Sequence, residues 1–343
     1  MSPTPLSTTP TTTRACPVVR SLQLPLEKDR TLRLRLHLEG ESVYGSIKAR
    51  TAHALLTSLE TRGLLQRGGR VIESTSGNLG IALAGLCAER GYRCTLMVDE
   101  ATSLFSLQRM TDLGAQVIYV RAPDPAHAVR ARIAAVHQFL IDYPGAVWTD
   151  QYSNPAGPAI HARHTGPALL HHAGLAHPDA VVVPVSTGGT MAGVATYVRQ
   201  HDPSVQIWAA DAVGSAASGG SPSPRPDKLP GFGSGLPSRF LTPSHLDHTA
   251  RVSDADAALA CRIVHARTGV WLGGSAGATV VAAVRAAHLT PTLTDVACLC
   301  PDGGDRYQTT IYAPEHMLPA PNQLSAFADL AALYRLRLEN GRL

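Results

Sequence analysis

The sequence of 343 residues has few lysines, few aromatic residues and no run of like charges. Only Lys28, Lys48 and Lys228 stand against 27 arginines, so chemistry that needs an amine has few candidates. A guanidinium stays protonated, whereas a desolvated lysine can lose its proton and act as a base or nucleophile. The net charge of +4 comes from scattered arginines, which gives no argument for nucleic acid or a membrane surface as a partner.

Metal and disulfide patterns are also absent from the sequence. The six cysteines form no CxxC pair, and several lie in apolar runs such as Ala297-Cys298-Leu299-Cys300, as small buried residues do in a reducing compartment. The fifteen histidines include no HExxH motif, so we predict no metal site. No apolar segment reaches the roughly 20 residues that span a bilayer. Residues 1–14, rich in Ser, Thr and Pro, are typical of a disordered tail rather than a signal peptide, and we expect a cytoplasmic protein.

Strand and helix patterns alternate along most of the chain. Apolar and charged residues alternate from Thr31 to Leu38, which predicts a strand with one solvated face. Helical spacing follows until Gly63, with Lys48 in the first turn, where the helix macrodipole favours a neutral amine. Repeated βα units then predict a parallel, doubly wound sheet. Further strands are predicted at 70–73, 94–98, 116–120, 147–149, 180–185 and 296–300. Further helices are predicted from the end of the loop 74–80 to Arg90, at 103–113, 125–141, 157–173, 191–200 and 254–268, from the turn 273–278 onward, and at 323–338.

Four polar, glycine-containing turns begin helices or follow buried strands, at 46–48, 74–80, 186–190 and 273–278. In doubly wound sheets such loops gather at the carboxyl ends of the strands, where ligands bind. The turn at 186–190 lacks the lysine of a nucleotide triphosphate loop and the third glycine of a dinucleotide loop, so it suits a single phosphate group. One lysine, a phosphate cradle, a carboxylate cradle and a serine at a helix start fit pyridoxal phosphate holding an amino acid. The Gly-, Pro- and Ser-rich stretch 214–242 is predicted to be an active-site flap.

Five motifs resemble, in order and spacing, those of the cysteine synthase family of fold-type II pyridoxal-phosphate enzymes. They are Gly45-Ser46-Ile47-Lys48, Thr75-Ser76-Gly77-Asn78, Thr187-Gly188-Gly189-Thr190, Gly274-Ser275-Ala276-Gly277 and Pro301-Asp302-Gly303-Gly304-Asp305-Arg306-Tyr307. The resemblance implies two doubly wound domains with mainly parallel central sheets, as in tryptophan synthase β-like enzymes. We accordingly divide the chain into a disordered tail (1–14), a strand segment packing with the C-terminal domain (15–45), a smaller mobile N-terminal domain (46–155), a larger phosphate-binding domain (156–320) and a C-terminal helix (321–343).

The resemblance also implies a role for each matching residue. Lys48 would form a Schiff base with the cofactor and later move the substrate's α-proton. Asn78 would hydrogen-bond the cofactor's 3′-oxygen, and the Ser275 hydroxyl would meet the pyridine nitrogen, leaving it unprotonated. The phosphate would be held by Ser186, Thr187, Gly188, Gly189 and Thr190. The α-carboxylate of the amino acid would be bound by Ser74, Thr75, Ser76, Gly77 and Gln151.

Two residues depart from the usual cysteine synthase pattern, with Ala49 in place of Asp and Leu79 in place of Thr. Within the family the chain looks more like the branch that makes N-(2-amino-2-carboxyethyl)-L-glutamate, toward 2,3-diaminopropionate. This likeness is carried by Ser46-Ile47-Lys48 without that Asp, Gln151-Tyr152, the flap residues 228–234 and Asp305-Arg306-Tyr307. The implied reaction is a β-replacement on an activated serine, with O-phosphoserine favoured, through an aminoacrylate to which the amine of glutamate adds. For the two carboxylates of glutamate the candidate partners are Arg132, Tyr152 and Arg239. Enzymes of this family are usually homodimers, and we expect one here.

Other readings of the same motifs stay open. One is a cysteine synthase or another β-substituted alanine synthase, with sulfide or a different nucleophile and O-acetylserine as donor. Another is a serine or threonine dehydratase. A third is a pyridoxal-phosphate-binding protein without turnover, which the presence of Lys48, Asn78 and Ser275 argues against.

Overall fold

The structure is a computed structural model that describes residues 17–122, 127–172, 175–225, 229–316, 318 and 328–339. Within these residues, helices cover the faces of two β-sheets. The strands are β1 (Val18–Pro25), β2 (Thr31–Leu38), β3 (Arg70–Ser74), β4 (Arg93–Val98), β5 (Gln116–Tyr119), β6 (Ala146–Trp148), β7 (Ala180–Pro184), β8 (Gln206–Ala212), β9 (His248–Val252), β10 (Asp295–Cys300) and β11 (Arg337–Leu338). The helices are α1 (Lys48–Thr61), α2 (Asn78–Arg90), α3 (Leu104–Asp112), α4 (Ala128–Asp142), α5 (Ala156–Ile160), α6 (Gly166–Leu170), α7 (Gly189–His201), α8 (Asp254–Thr268), α9 (Gly274–Leu289) and α10 (Ala328–Leu333).

Seven strands form the larger sheet, in the order β11-β1-β2-β10-β7-β8-β9. Strand β1 is antiparallel to both of its neighbours, and all other pairs are parallel. The smaller sheet, β5-β4-β3-β6, is parallel throughout. Parallel neighbours need crossover connections, and these supply the helices that cover the sheet faces. The predicted α/β fold with mainly parallel sheets is confirmed, whereas the domain division and the mobility of the smaller domain stay predictions.

Strand β7 shows how the larger sheet is buried on both faces. All five of its residues are buried. Ala180 and Val182 belong to the same apolar cluster as α9, while Val181 and Val183 belong to the cluster that includes α7. An apolar run without alternation is the pattern expected of a strand between two helical layers. The carboxyl end of β7 is therefore held rigidly where the glycine turn 186–190 begins.

The predicted solvated face of β2 is wrong. Arg35 and His37, on the face expected to meet water, are each only 1% exposed. The segment after α6 covers this part of the face: Arg35 Nη2 donates to the Ala176 carbonyl at 3.0 Å, and the His37 ring centroid lies 6.3 Å from that of His172. Arg35 is compensated by Asp295, whose Oδ1 accepts from its Nε at 2.6 Å. Burial lowers the pKa of His37 to about 3, so this residue is neutral.

Two predicted helices differ from the structure. The helix expected at 157–173 is divided by a π-helical turn, His161–Thr165, and ends at Leu170. Pro167 lacks the N–H group that a continuous α-helix needs there. The helix expected at 323–338 is seen only as α10, after which β11 pairs with β1. The predicted tail at 1–14 lies outside the described residues. No helix in the described ranges is both long and apolar enough to cross a lipid bilayer.

Candidate active site

Lys48 is the first residue of α1 and lines a cavity beyond the carboxyl ends of β7 and β10. The preceding segment is fixed to the loop after β10, because the Ile47 N–H donates to the Pro301 carbonyl at 2.8 Å. The same cavity is lined by Ser186, Thr187, Gly188 and Thr190. The structure thus brings the predicted reactive lysine and the predicted phosphate loop together, although they are far apart in sequence.

Burial lowers the pKa of the Lys48 ammonium to about 8. The direction is the one predicted from the helix macrodipole, and desolvation by burial adds a cause that the sequence did not show. A lysine with a pKa of about 8 is neutral in about a tenth of molecules at pH 7, far more than an ordinary lysine, and only the neutral amine can accept a proton or attack a carbonyl.

We expect the acetylation rate of Lys48 in the cofactor-free protein to rise with pH and level off above about pH 8. An ordinary lysine would continue to gain reactivity toward about pH 10.4. Brief treatment with acetic anhydride across a pH series, followed by peptide mass spectrometry, measures this rate. Lys28, which is exposed in the β1–β2 turn, serves as the reference for reagent strength in the same digest. A Lys48 rate that still climbs at pH 10 would contradict the assignment.

The phosphate loop has the backbone shape of an anion cradle. Gly188 has φ = 89°, in the left-handed region, and turns the chain directly into the 13-residue helix α7. The first N–H groups of a helix have no intrahelical acceptor, and together with the positive end of the macrodipole they favour a bound anion. Thr187 and Thr190 add hydroxyl donors. A single phosphate at this helix start, with the Lys48 amine in the same cavity, fits the donors that the chain provides.

His161 lies beneath this loop, in the π-helical turn. Its Nε2 is 3.0 Å from Thr51 Oγ1 and 3.2 Å from Thr190 Oγ1, and its Nδ1 is 2.9 Å from Thr165 Oγ1. Burial, helped by the charge of Lys48, lowers the pKa of His161 well below its usual value. A neutral imidazole therefore connects α1 to the phosphate loop.

The predicted carboxylate loop begins where β3 ends, at Ser74. Gln151, which follows β6, donates from Nε2 to the Ser74 carbonyl at 2.8 Å. Because β3 and β6 are parallel neighbours, their carboxyl ends meet, and so do the two predicted substrate-binding segments. The residues between Ser74 and α2 include Thr75, Ser76 and Gly77, which lead directly into the helix start at Asn78.

Glu73 holds these two segments in place. Its fully buried carboxylate accepts from the N–H groups of Ser74 at 2.7 Å and Gln151 at 3.0 Å, and from Trp148 Nε1 at 3.0 Å and Thr149 Oγ1 at 2.5 Å. Burial raises the pKa of Glu73 to about 7, and these four donors act in the opposite direction. One side chain therefore fixes the geometry of the carboxylate loop.

Asn78 and Ser275 approach the site from opposite sheets. Asn78 begins α2, and its Nδ2 donates to Asp302 Oδ2 at 2.8 Å. Ser275 lies in the first turn of α9 and is 5% exposed. Asp302 connects both regions, since it pairs with Ser46 in an isolated bridge and accepts from the Gly273 N–H at 3.2 Å. The loop after β10 therefore stands between the segments that carry Lys48 and Ser275.

A second, larger cavity of about 400 Å³ lies beside the first. Tyr152, Asp150 and Arg239 line it, and Thr187 lines both cavities. Among the residues that the structure describes, the exposed Arg239 guanidinium has no hydrogen-bond or ion-pair partner. This volume is within the range of small-molecule sites.

Arg132 is not brought to this cavity with Tyr152 and Arg239. It is 4% exposed, and its Nη1 is 3.3 Å from Asp99 Oδ2, in the residue that follows β4. Its charge nevertheless acts on Tyr152, partly offsetting the rise in pKa that burial gives that hydroxyl. Arg132 is thus paired with Asp99, outside the residues that line the cavity.

The departures Ala49 and Leu79 are both buried in the core around the smaller sheet. Sequence reasoning missed the three supporting residues Glu73, His161 and Asp302. Asp302 was inside a recognised motif without an assigned role, and Glu73 directly precedes a recognised loop. For His161 alone the sequence offered no signal of a supporting role, because its three hydroxyl partners lie in separate helical segments.

The profile of the family described as "Pyridoxal-phosphate dependent enzyme" matches residues 11–302. This is most of the chain, and the chain belongs to that family. Pyridoxal phosphate is therefore its cofactor, and the two mainly parallel sheets are the fold of the type II enzymes.

Two relatives are each 37% identical to the chain and are named N-(2-amino-2-carboxyethyl)-L-glutamate synthase. The protein from Ralstonia nicotianae aligns over 79% of this chain and 80% of its own length, and that from Cupriavidus metallidurans over 78% and 79%. Among solved structures, an O-ureido-L-serine synthase has a TM-score of 0.77 at 26% identity, covering 91% of this chain and 97% of its own. An O-acetylserine-dependent cystathionine β-synthase from Helicobacter pylori has a TM-score of 0.78 at 26% identity, covering 88% and 97%.

Proposed function

We propose that this enzyme joins an activated serine, O-phosphoserine or O-acetylserine, to the amine of L-glutamate, giving N-(2-amino-2-carboxyethyl)-L-glutamate. The observation that carries the proposal is the cavity of about 400 Å³ that adjoins the Lys48 cavity at Thr187 and includes the Arg239 guanidinium. Sulfide, the nucleophile of a cysteine synthase, needs neither this space nor this charge. The name shared by the two 37% identical relatives supports the same substrates.

The reaction replaces one bond at the β-carbon of the serine unit. The bond from Cβ to the ester oxygen breaks, phosphate or acetate leaves, and a bond forms from Cβ to the glutamate nitrogen, which gives up a proton. Pyridoxal phosphate supplies the electron sink that makes the α-proton acidic. The neutral Lys48 amine accepts that proton and returns it after the new bond has formed.

The donor's α-carboxylate is proposed to lie against the loop from Ser74 to Gly77, with Gln151 beside it. This loop offers hydroxyl and N–H donors at the start of α2, and Glu73 holds its first residue and Gln151 in fixed positions. A fixed carboxylate would orient the α-proton toward the Lys48 amine. Holding reacting groups in a productive orientation raises the reaction rate.

The glutamate molecule is proposed to occupy the larger cavity, with a carboxylate at Arg239. A guanidinium and a carboxylate form charge-assisted, often bidentate hydrogen bonds. Tyr152 and Asp150 lie on the same cavity wall. Asp150 has φ = 49°, an uncommon conformation for a residue other than glycine, and its Oδ1 accepts from the Tyr152 N–H at 3.2 Å. A strained residue that shapes a cavity wall is a frequent feature of binding sites.

The proposal is tested by offering nucleophiles separately. We expect the holoenzyme with O-phosphoserine and glutamate to give a product whose mass equals the sum of both substrates less phosphoric acid. Parallel reactions with O-acetylserine, and with sulfide in place of glutamate, are compared by mass spectrometry. A product with sulfide and none with glutamate would establish a cysteine synthase instead, and release of a keto acid without an added nucleophile would establish a dehydratase.

Replacing Arg239 by Gln should raise the KM for glutamate by roughly 10-fold or more, because one charge-assisted contact is lost. The KM for the serine donor should change little, since the donor is bound by the loop after β3. Steady-state kinetics with each substrate varied in turn separate the two effects. Arg67→Gln, at an exposed arginine between α1 and β3, is the matched control. Equal effects on both substrates would argue against a glutamate contact at Arg239.

We further propose that the enzyme is a cytoplasmic homodimer. The support is the resemblance to the cysteine synthase family, whose members are usually dimers. Light scattering of the purified protein measures the mass directly, and a monomer of 36.2 kDa would contradict the dimer.

A further inference from the structure

The carboxamide of Asn78 is held at both of its ends. Its Oδ1 accepts from Arg306 Nη1, and its Nδ2 donates to Asp302 Oδ2 at 2.8 Å. A guanidinium can only donate and a carboxylate can only accept. The two partners therefore determine which end of the amide is oxygen and which is nitrogen, and a flipped amide would oppose both of them.

Asp302 itself is poorly compensated for a buried carboxylate. It is 3% exposed, and its Oδ2 accepts from Tyr307 Oη at 2.7 Å as well as from Asn78. Its Oδ1 is buried and has no hydrogen-bond partner among the described residues. A Cβ on Gly273 would overlap this oxygen, so a side chain at that position is excluded. Burying a half-satisfied carboxylate costs stability, and such groups are retained where they serve a function.

Arg306 restrains Asn78 in addition to offsetting the negative charge of Asp302. Its Nη2 donates to the Gly45 carbonyl at 2.9 Å, three residues before Lys48. A Cβ at Gly45, which has φ = 70°, would overlap the Arg306 guanidinium. The guanidinium also lies 5.5 Å from the Phe105 ring centroid. These contacts fix the group that holds the amide oxygen.

We propose that Asp302 is a positioning residue, which together with Arg306 fixes the Asn78 amide so that an N–H, and not the amide oxygen, faces the cofactor ring. One Nδ2 hydrogen is used by Asp302, and the second is left free for an acceptor oxygen on the ring. A flipped amide would present Oδ1 to that oxygen, and two acceptors repel. The proposal rests on the proposed contact between Asn78 and the cofactor, and it does not depend on which nucleophile the enzyme uses.

The decisive experiment compares Asp302→Leu in the wild-type and Asn78→Ala backgrounds, in holoenzyme without amino-acid substrate. We expect Asp302→Leu to raise the cofactor dissociation constant about 10-fold, which corresponds to one unsatisfied polar contact, and to shift the visible absorbance of the bound cofactor. In the Asn78→Ala background the same substitution should change the constant less than about 2-fold, because coupled residues are not additive. Equal changes in both backgrounds would overturn the proposal.

Three further variants complete the test. Tyr307→Phe removes the other donor to the same carboxylate oxygen and should leave the absorbance unchanged. Asp302→Asn keeps an oxygen for Asn78 and should restore both readouts toward the wild type. Arg306→Met removes the opposite restraint and should shift the absorbance only when Asn78 is present, which decides the question if Asp302→Leu does not fold. A spectral shift in Tyr307→Phe equal to that in Asp302→Leu would also overturn the proposal.

Discussion

Lys48→Ala should lower turnover by at least about 10³-fold, since it removes the proposed general base and the amine proposed to bind the cofactor. No other described lysine can replace it, because Lys28 lies in the exposed β1–β2 turn. If the cofactor is bound through Lys48 as proposed, the variant should also lose the visible absorbance of the wild-type holoenzyme. Product formation at saturating substrates and the absorbance spectrum measure the two effects.

Two controls make the Lys48 result specific. Lys48→Arg keeps a cation of similar length, but the guanidinium does not release its proton, so this variant should be as inactive as Lys48→Ala. Lys28→Ala should behave as wild type. Removing a buried amine should not lower the free energy of unfolding, so thermal unfolding separates loss of chemistry from loss of fold. Turnover of Lys48→Ala within 10-fold of wild type would move the base to another residue.

Gly188→Ala should lower the free energy of unfolding of the cofactor-free protein by about 2–4 kcal/mol and weaken cofactor binding as well. Its φ of 89° is unfavourable for any residue with a Cβ. The new methyl group would also overlap Ser238, whose Oγ donates to the Thr187 carbonyl at 2.8 Å and accepts from the Phe240 N–H at 3.1 Å. Moving Ser238 aside would break both bonds. Urea unfolding measures the loss.

Gly189→Ala is the matched control for this prediction. Gly189 is the neighbouring residue at the start of α7, and a Cβ there meets other atoms no closer than 3.8 Å, at Phe240 and Pro158. Alanine is also the better helix former, so the free energy of unfolding should stay within about 1 kcal/mol of wild type. Similar losses in the two variants would show that the backbone conformation of Gly188 is not the cause.

The site depends on both sheets meeting at one edge. The larger sheet contributes the phosphate loop after β7 and the Asp302 loop after β10, while the smaller sheet contributes the carboxylate loop after β3 and Gln151 after β6. The Asn78 contacts to Asp302 and Arg306 join the two. A ligand bound between these loops would therefore contact residues from both sheets. A change in the relative position of the two sheets would then alter substrate binding.

The glycine turns and their helices were predictable because their determinants are local. Apolar runs of strand length followed by glycine, serine and threonine fix the strand, turn and helix order near Gly188 and Asn78, with bounds that the structure alters by only a few residues. The error at β2 arose because alternation of Leu with Arg and His indicates a solvated face, whereas the segment after α6, which is distant in sequence, packs against Arg35 and His37. Arg35 could be buried only because Asp295 lies on the adjacent β10.

The sequence by itself determined the parallel α/β fold and the order of its strands, glycine turns and helices, since these depend on local patterning. It also predicted Lys48 as the reactive lysine, because few residue types have the chemistry required. Only the tertiary structure decided which charged groups meet. It paired Arg132 with Asp99, left Arg239 in a cavity, and placed Asp302 against Asn78 across 224 residues of chain. It also showed that burial lowers the pKa of Lys48. Desolvation and long-range pairing depend on what surrounds a group in space, and that information is not local in the sequence.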